Sequence, residues 1–392
     1  MKYKISDIAE INKKNINKNY KGKVFYLDTS SVTNDFFNCP KIYTSLKEAP
    51  IRARRLAEDG DTIISTVRPA MRHVGYISQN LNRVYSTGFA IISPKKSKVN
   101  PFYLYLVLSS KEITNLLQSI AVGSTSAYPS IKPRDIGNLI FDFPSLCIQE
   151  KIASIMQQII LKIKMNNQIN DNLTSQIKSI SNNYFHLFKH YLYKNWAYVK
   201  LEDIAEINSG YSYQGQELLP SNIAMATIKN FNRTGGFNVN GYKEIKPRKN
   251  LKTEKYANLF DVLIAHTDIT QNGDIIGNAE IILDTCNYKN VIYSMDLVKV
   301  TPKNQLISPF LLALLLQSNE LKKYCLGYVN GTTVLHLNKK AIKNFRIPLP
   351  NNISDINNIE KYARYAYKQM SINFKENRIL KSLKTEILNK YF

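Results

Sequence analysis

Ile5-Ser-Asp-Ile-Ala-Glu-Ile-Asn12 returns in the second half of the chain as Leu201-Glu-Asp-Ile-Ala-Glu-Ile-Asn208. Working outward from that pair, Asp61-Thr-Ile-Ile64 returns as Asp261-Val-Leu-Ile264, and Tyr85 to Ser110 aligns without a gap to Tyr293 to Ser318. The last alignment holds ten identities in 26 positions, where average residue usage gives roughly one or two. Gly123-Ser-Thr125 matches Gly331-Thr-Thr333, Asp135 through Pro144 matches Ala341 through Pro350, and Glu150-Lys-Ile-Ala153 matches Glu360-Lys-Tyr-Ala363. Six blocks in one order, repeating at about half the chain length, describe two copies of a domain-sized unit and exclude a short solenoid repeat.

Each copy reads as a mixed globular part followed by a long helix. Short apolar runs between polar turns, at Thr62-Ile-Ile64, Phe89-Ala-Ile-Ile92, Val262-Leu-Ile-Ala265 and Asp296-Leu-Val-Lys-Val300, read as strands. Asn100-Pro101 and Ser308-Pro309 open helices, since Asn and Ser cap free amides and Pro loses nothing in a first turn. Phe310 to Leu316 reads as core. Steps of four and three from Ile152 give Met156, Ile159, Ile163, Asn166, Asn170, Leu173, Ile177, Ile180, Tyr184 and Leu187, a heptad seam broken only by two asparagines. The second helix, from about Ile356 to Phe392, is less regular, with Tyr362, Ala366, Met370, Leu380, Leu383 and Ile387 assigned to its buried side. The two helices are expected to pack antiparallel, and about 40 helical residues make a rod roughly 60 Å long.

Among 392 residues, 53 Lys and Arg stand against 30 Asp and Glu, a formal charge of +23. Such an excess favours a polyanionic partner, although a chain rich in Lys, Asn and Ile also fits AT-rich coding. Four scattered cysteines offer no paired spacing for zinc or redox work. The polar N-terminus carries no signal-peptide core, and no apolar run approaches a membrane span. A cytoplasmic location is expected.

The repeated globular part and long helix resemble the specificity subunit of Type I restriction-modification systems, across essentially the whole chain. Gly60-Asp-Thr-Ile-Ile-Ser-Thr-Val-Arg-Pro69 with Tyr85-Ser-Thr-Gly-Phe89 looks like one subtype of that family's target recognition domain. Asp261 to Asn272 with Ile276-Gly-Asn-Ala279 looks like another. The resemblance implies an α+β chain with recognition domains at 1–144 and 196–350, separated by a pair of long antiparallel coiled-coil helices at 145–190 and 351–392, with an internal pseudo-twofold repeat. It implies a bipartite, asymmetric double-stranded DNA target and docking of two modification (methyltransferase) subunits and of restriction subunits. S-adenosylmethionine, ATP and Mg are then expected in those partners, with no cofactor, no metal and no catalytic residue in this chain.

The residues themselves agree on the catalytic point. Asn100-Pro-Phe-Tyr103 approaches an adenine-methyltransferase motif, but its repeat partner Ser308-Pro-Phe-Leu311 keeps the helix-opening logic and loses the amide. No phosphate loop is present, and the five histidines show no metal-ligand spacing. Base reading needs donors and acceptors at base edges, while phosphate contacts set position. In the first globular part the polar candidates are Arg52, Arg54, Arg55, Thr66, Arg68, Arg72, Ser86, Thr87, Ser124, Thr125 and Tyr128, with Arg68 and Arg72 each able to fork onto a guanine or to form a surface ion pair. In the second, Lys243, Lys246, Arg248, Lys249, Lys252 and Lys255 form a phosphate rail or a solvated loop. His266, Thr267, Asp268, Thr270, Gln271 and Asn272 follow a strand, and Thr332, Thr333 and His336 complete the candidates.

Overall fold

The computed structural model describes residues 1–79, 81–123, 128–190, 195–248, 251–268, 270, 272–331 and 334–392. These form two compact units, Met1–Leu161 with Ser382–Phe392, and Lys162–Lys381.

In the first unit, an antiparallel sheet runs in the order Val74–Tyr76, Thr62–Ser65, Phe89–Pro94, Ala9–Ile11. Thr62–Ser65 is buried at every residue, so it shows an unbroken apolar-small run instead of alternation. A second sheet orders Lys14–Asn15, Ala53–Leu56, Arg83–Ser86, Val24–Leu27 and Lys41–Tyr43, with Arg83–Ser86 and Val24–Leu27 parallel. Asn100 caps the helix Pro101–Ser109 by accepting from the Tyr103 amide, and Ser110 caps Lys111–Val122 through the Ile113 amide. Those caps satisfy helix-end donors that would otherwise be lost on burial.

The second unit repeats the plan. Its antiparallel sheet runs Ala205–Ser209, Leu297–Pro302, Val262–Ala265, Ala279–Ile281. The parallel pair recurs as Ile223–Ala226 with Asn290–Tyr293, and Ser308 and Ser318 cap Pro309–Leu316 and Asn319–Leu326. Phe310 through Leu316 is wholly buried. The α+β class, the repeat and the four strand assignments thus hold, as do both helix openings.

The long helices are Leu146–His190 and Asn357–Tyr391. In the second unit they run antiparallel: Asn170 Oδ1 accepts from Asn373 at 2.8 Å, Asn166 donates to Asn377 Oδ1 at 3.0 Å, and Tyr362 donates to Gln176 at 2.6 Å. In the first unit Ile152 and Met156 are core residues with Ile160, Ile387, Leu388 and Phe392 against them. Of the assigned packing residues, Ile152, Met156, Ile159, Leu173, Ile177, Ala366 and Met370 are buried, while Ile163, Ile180, Tyr362, Leu380 and Ile387 are half-buried. Leu383 is a correction, being 41% exposed. The inward row of the second helix is regular in threes and fours, Ala363, Ala366, Met370, Asn373, Asn377, Leu380, Lys384 and Ile387. Polar residues at three of those positions hid the seam from a reading that followed apolar side chains alone.

Candidate nucleic-acid interface

Each unit carries the same frame at the end of its buried sheet strand. In the first, Thr66 N–H and its hydroxyl both donate to Gly88 O, and Ile131 N–H returns to Thr66 O at 2.8 Å. Arg68 N–H donates to Pro129 O, and its guanidinium lies over the Tyr128 ring at 4.5 Å. Thr87 N–H donates to Arg52 O. The frame therefore holds four exposed side chains, Arg52, Arg68, Thr87 and Tyr128, along one backbone-stitched edge. Guanidinium, hydroxyl and aromatic face are the groups that address guanine edges, phosphates and unstacked bases.

Thr66 and Ser86 serve the frame itself, while Arg54, Arg55 and Arg72 are held elsewhere in the unit. Thr66 and Ser86 are buried, and Ser86 Oγ accepts from Gly88 N–H at 3.1 Å. Arg72 donates to Ser109 O at 2.8 Å, at the end of the helix Pro101–Ser109. Arg55 donates to Asn15 and is half-buried, as is Arg54. Adjacent strand residues face opposite sides, so the arginine run Arg54-Arg55 does not form a single patch. Ser124 and Thr125 lie outside the described residues.

In the second unit His266 N–H donates to Asp296 O, and Leu337 N–H returns to His266 O. The Thr267–His336 pairing takes the place of the Val67–Ser130 bridge. Met295 N–H donates to Tyr211 O, as Thr87 does to Arg52. Met295 and His336 are exposed on this edge, and Asn272 is exposed in the segment that follows the strand Thr267–Asp268. His266 is buried, and its Nε2–H donates to Met295 O at 2.6 Å. Burial first, and then the charge of Lys339, hold its pKa below the ordinary histidine value. Asp268 is fully buried, accepting from the amides of Thr270 and Ile275 at 2.8 and 2.7 Å, and Thr267 is buried beside it. These three shape the loop, with half-buried Thr270 beside them. Gln271, Lys249, Thr332 and Thr333 lie outside the described residues.

The basic run divides. Lys246, Arg248 and Lys252 are exposed; the Arg248 guanidinium donates to Gln216 while its N–H donates to Glu217. Lys255 is half-buried and donates to Ser209 O at 2.7 Å. Sequence reading missed Met295, Tyr211, Ser209 and Lys339. The ungapped repeat alignment places Met295 opposite Thr87 and was enough to find it; the other three come together only through chain pairing. Among the described residues no group of three His, Cys, Asp or Glu side chains is placed to hold a metal ion.

The pattern of the family described as "Type I restriction modification DNA specificity domain" matches residues 1–175 and again 193–358. The chain is 28% identical over 185 residues to the Type I restriction enzyme HindI specificity subunit of Haemophilus influenzae, covering 47% of this chain and 40% of that protein. It is 25% identical over 216 residues to the Type I restriction enzyme MjaIX specificity subunit of Methanocaldococcus jannaschii, covering 50% and 49%. The alignments thus span less than half the length of these curated relatives. The crystal structure of the Type-I restriction-modification system S subunit from M. genitalium superposes with a TM-score of 0.59 at 14% identity, covering 100% of this chain and 96% of that one, which shows a shared fold. Two matches to one domain pattern, on two units of one topology, leave a single conclusion: the chain belongs to the Type I restriction modification DNA specificity domain family.

Proposed function

We propose that the chain is the non-catalytic DNA-specificity subunit of a Type I restriction-modification complex, in which each unit reads one part of a bipartite, asymmetric double-stranded target. One observation carries this reading. Matching backbone links, Thr66 to Gly88 and Ile131 to Thr66 in one unit and His266 to Asp296 and Leu337 to His266 in the other, stand beside exposed Arg52, Arg68, Thr87 and Tyr128 in the first and exposed Met295 and His336 in the second. A repeated frame with different exposed groups is what two readers of different sequences need, because specificity lies in the groups that meet base edges. The long helices serve as the docking site for two modification subunits and for the restriction subunits. Adenine methylation, translocation and cleavage belong to those partners, which supply S-adenosylmethionine, ATP and Mg, and the complex works in the cytoplasm. No helix of the described residues is long and apolar enough to cross a membrane.

The test is a genome-wide map of methylated adenines in cells with and without this gene. The reading expects a two-part motif that vanishes with the gene, changes in one part with Arg68→Ala and in the other with Asn272→Ala. A motif unmoved by extensive substitution on both edges would overturn it.

A further inference from the structure

We propose that Lys255 and Lys339 form a grip for one phosphodiester of the DNA backbone, built into the second unit and absent from the first. The inference rests on the second unit reading DNA and names the ligand chemistry of a place beside its reading edge. The two ammonium groups converge on a single residue: Lys255 donates to Ser209 O at 2.7 Å and Lys339 donates to Ser209 Oγ at 2.9 Å. Ser209 ends the strand Ala205–Ser209. Two residues on, Tyr211 exchanges backbone hydrogen bonds with Tyr293 and Met295, so the lysines sit within a few residues of the exposed edge.

Gathering like charges in one place is unfavourable unless an anion joins them. Burial and the Lys255 charge pull the Lys339 ammonium below its ordinary pKa, and Lys339 in turn acts on His266. Acidic neighbours are few: Glu254 pairs with Lys255 at 3.4 Å, and Asp296 acts on His266. Among the described residues Lys339 has no ion pair. A phosphodiester fits this arrangement, carrying one negative charge and two free oxygens, one for each ammonium. The repeat supplies a control within the chain. The position matching Ser209 is Lys13, paired to Glu10 at 3.3 Å, and the position matching Lys339 is Pro133, so the matching positions of the first unit hold no such pair.

The experiment uses the full chain assembled with its modification subunits and a duplex carrying the target found by methylation mapping. Binding is measured by fluorescence anisotropy across salt concentrations for wild type, Lys339→Met and the double variant Lys255→Met/Lys339→Met. The double variant is expected to lose about 0.9 from the slope of log K against log salt. Raising salt from about 50 to 200 mM should therefore weaken it about threefold less than wild type. A neutral methylphosphonate, scanned along the second half-site, should weaken wild type at one phosphate and leave the double variant unaffected there, with the methylated motif unchanged. Lys339→Arg should restore both signatures, which a merely structural lysine would not require. Inorganic phosphate added at constant ionic strength should not compete; if it competes at low concentration, the site is for free phosphate and the proposal fails. Wild-type slope and wild-type methylphosphonate sensitivity retained in both lysine variants would also overturn it. Loss of any preference for the second half-site in the wild-type complex would instead sink the DNA-reading role of the unit. Lys339 is exposed, so its single variant keeps the test open should the double variant fail to fold.

Discussion

Arg68 has φ 49° and Arg72 φ 54°, both in the left-handed region, where a residue with a β-carbon costs roughly 1–2 kcal/mol. The hydrogen bond from Arg68 N–H to Pro129 O and the Tyr128 ring beneath its guanidinium hold the first of them there. Arg68→Gly should therefore melt no lower than wild type while blurring one position of the methylated motif, by about 1–3 kcal/mol of discrimination. Lower stability with an intact motif would mean that Arg68 acts only as a support. Glu280 offers a second residue-scale prediction. Its carboxylate is buried in the second unit, accepting from Gly236 N–H at 2.7 Å and Gln317 at 3.2 Å, and burial raises its pKa to about 7. The folded value lies above the unfolded one, so the native state holds the proton more tightly. The penalty is absent below about pH 4.5 and grows to full size above about pH 7, on the order of 3 kcal/mol. Denaturant melts of Glu280→Gln should match wild type at pH 4.5 and exceed it at pH 8.

At the scale of elements, the seam between the long helices carries a ladder of buried asparagines. Asn166, Asn170, Asn373 and Asn377 are each nine-tenths or more buried and hydrogen-bonded across the pair. Such a ladder fixes which residue faces which, because a slip leaves amides unpaired in an apolar seam. Asn373→Leu should cost about 1–3 kcal/mol by orphaning Asn170, while Asn170→Leu/Asn373→Leu together should recover most of that loss. A double-mutant cycle with no coupling would remove the ladder from the account. Ile177→Ala, at a fully buried position, should cost about 2–5 kcal/mol. The apolar half of this seam was legible, since Ile152, Met156, Ile159, Leu173 and Ile177 follow heptad spacing. The polar half was not. Asn373, Asn377 and Lys384 fall outside an apolar spacing that assigns Leu383 inward, because a polar side chain shows an inward place only against the opposite helix.

For the whole molecule, the +23 charge predicts DNA binding that weakens steeply with salt. Under the proposed function, the two exposed edges predict that the motif divides cleanly. Substituting Arg52 and Thr87 together should move only one half of it, and substituting Asn272 and His336 only the other, as read by methylation mapping. Movement of both halves by either pair would contradict independent readers. The duplicated architecture was legible because each repeated block has a local cause: strand runs buried on both faces, Asn-Pro and Ser-Pro helix openings, and a heptad seam.

What the chain determined by itself was therefore the pair of units, their α+β class, their helix starts and the apolar seam, all of which follow from the order and spacing of neighbouring residues. Tertiary structure alone decided which polar side chains stay exposed and which are tied up inside the fold. Thr66, Ser86, Arg72, His266 and Asp268 have the composition of base readers, yet their hydrogen-bonding groups are taken up by backbone atoms, those of Thr66, Arg72 and His266 by residues 22, 37 and 29 positions away. Lys255 and Lys339, separated by many residues, meet at Ser209. The reason is physical: a polar group's availability depends on whether folding brings it a partner, and no local spacing specifies that.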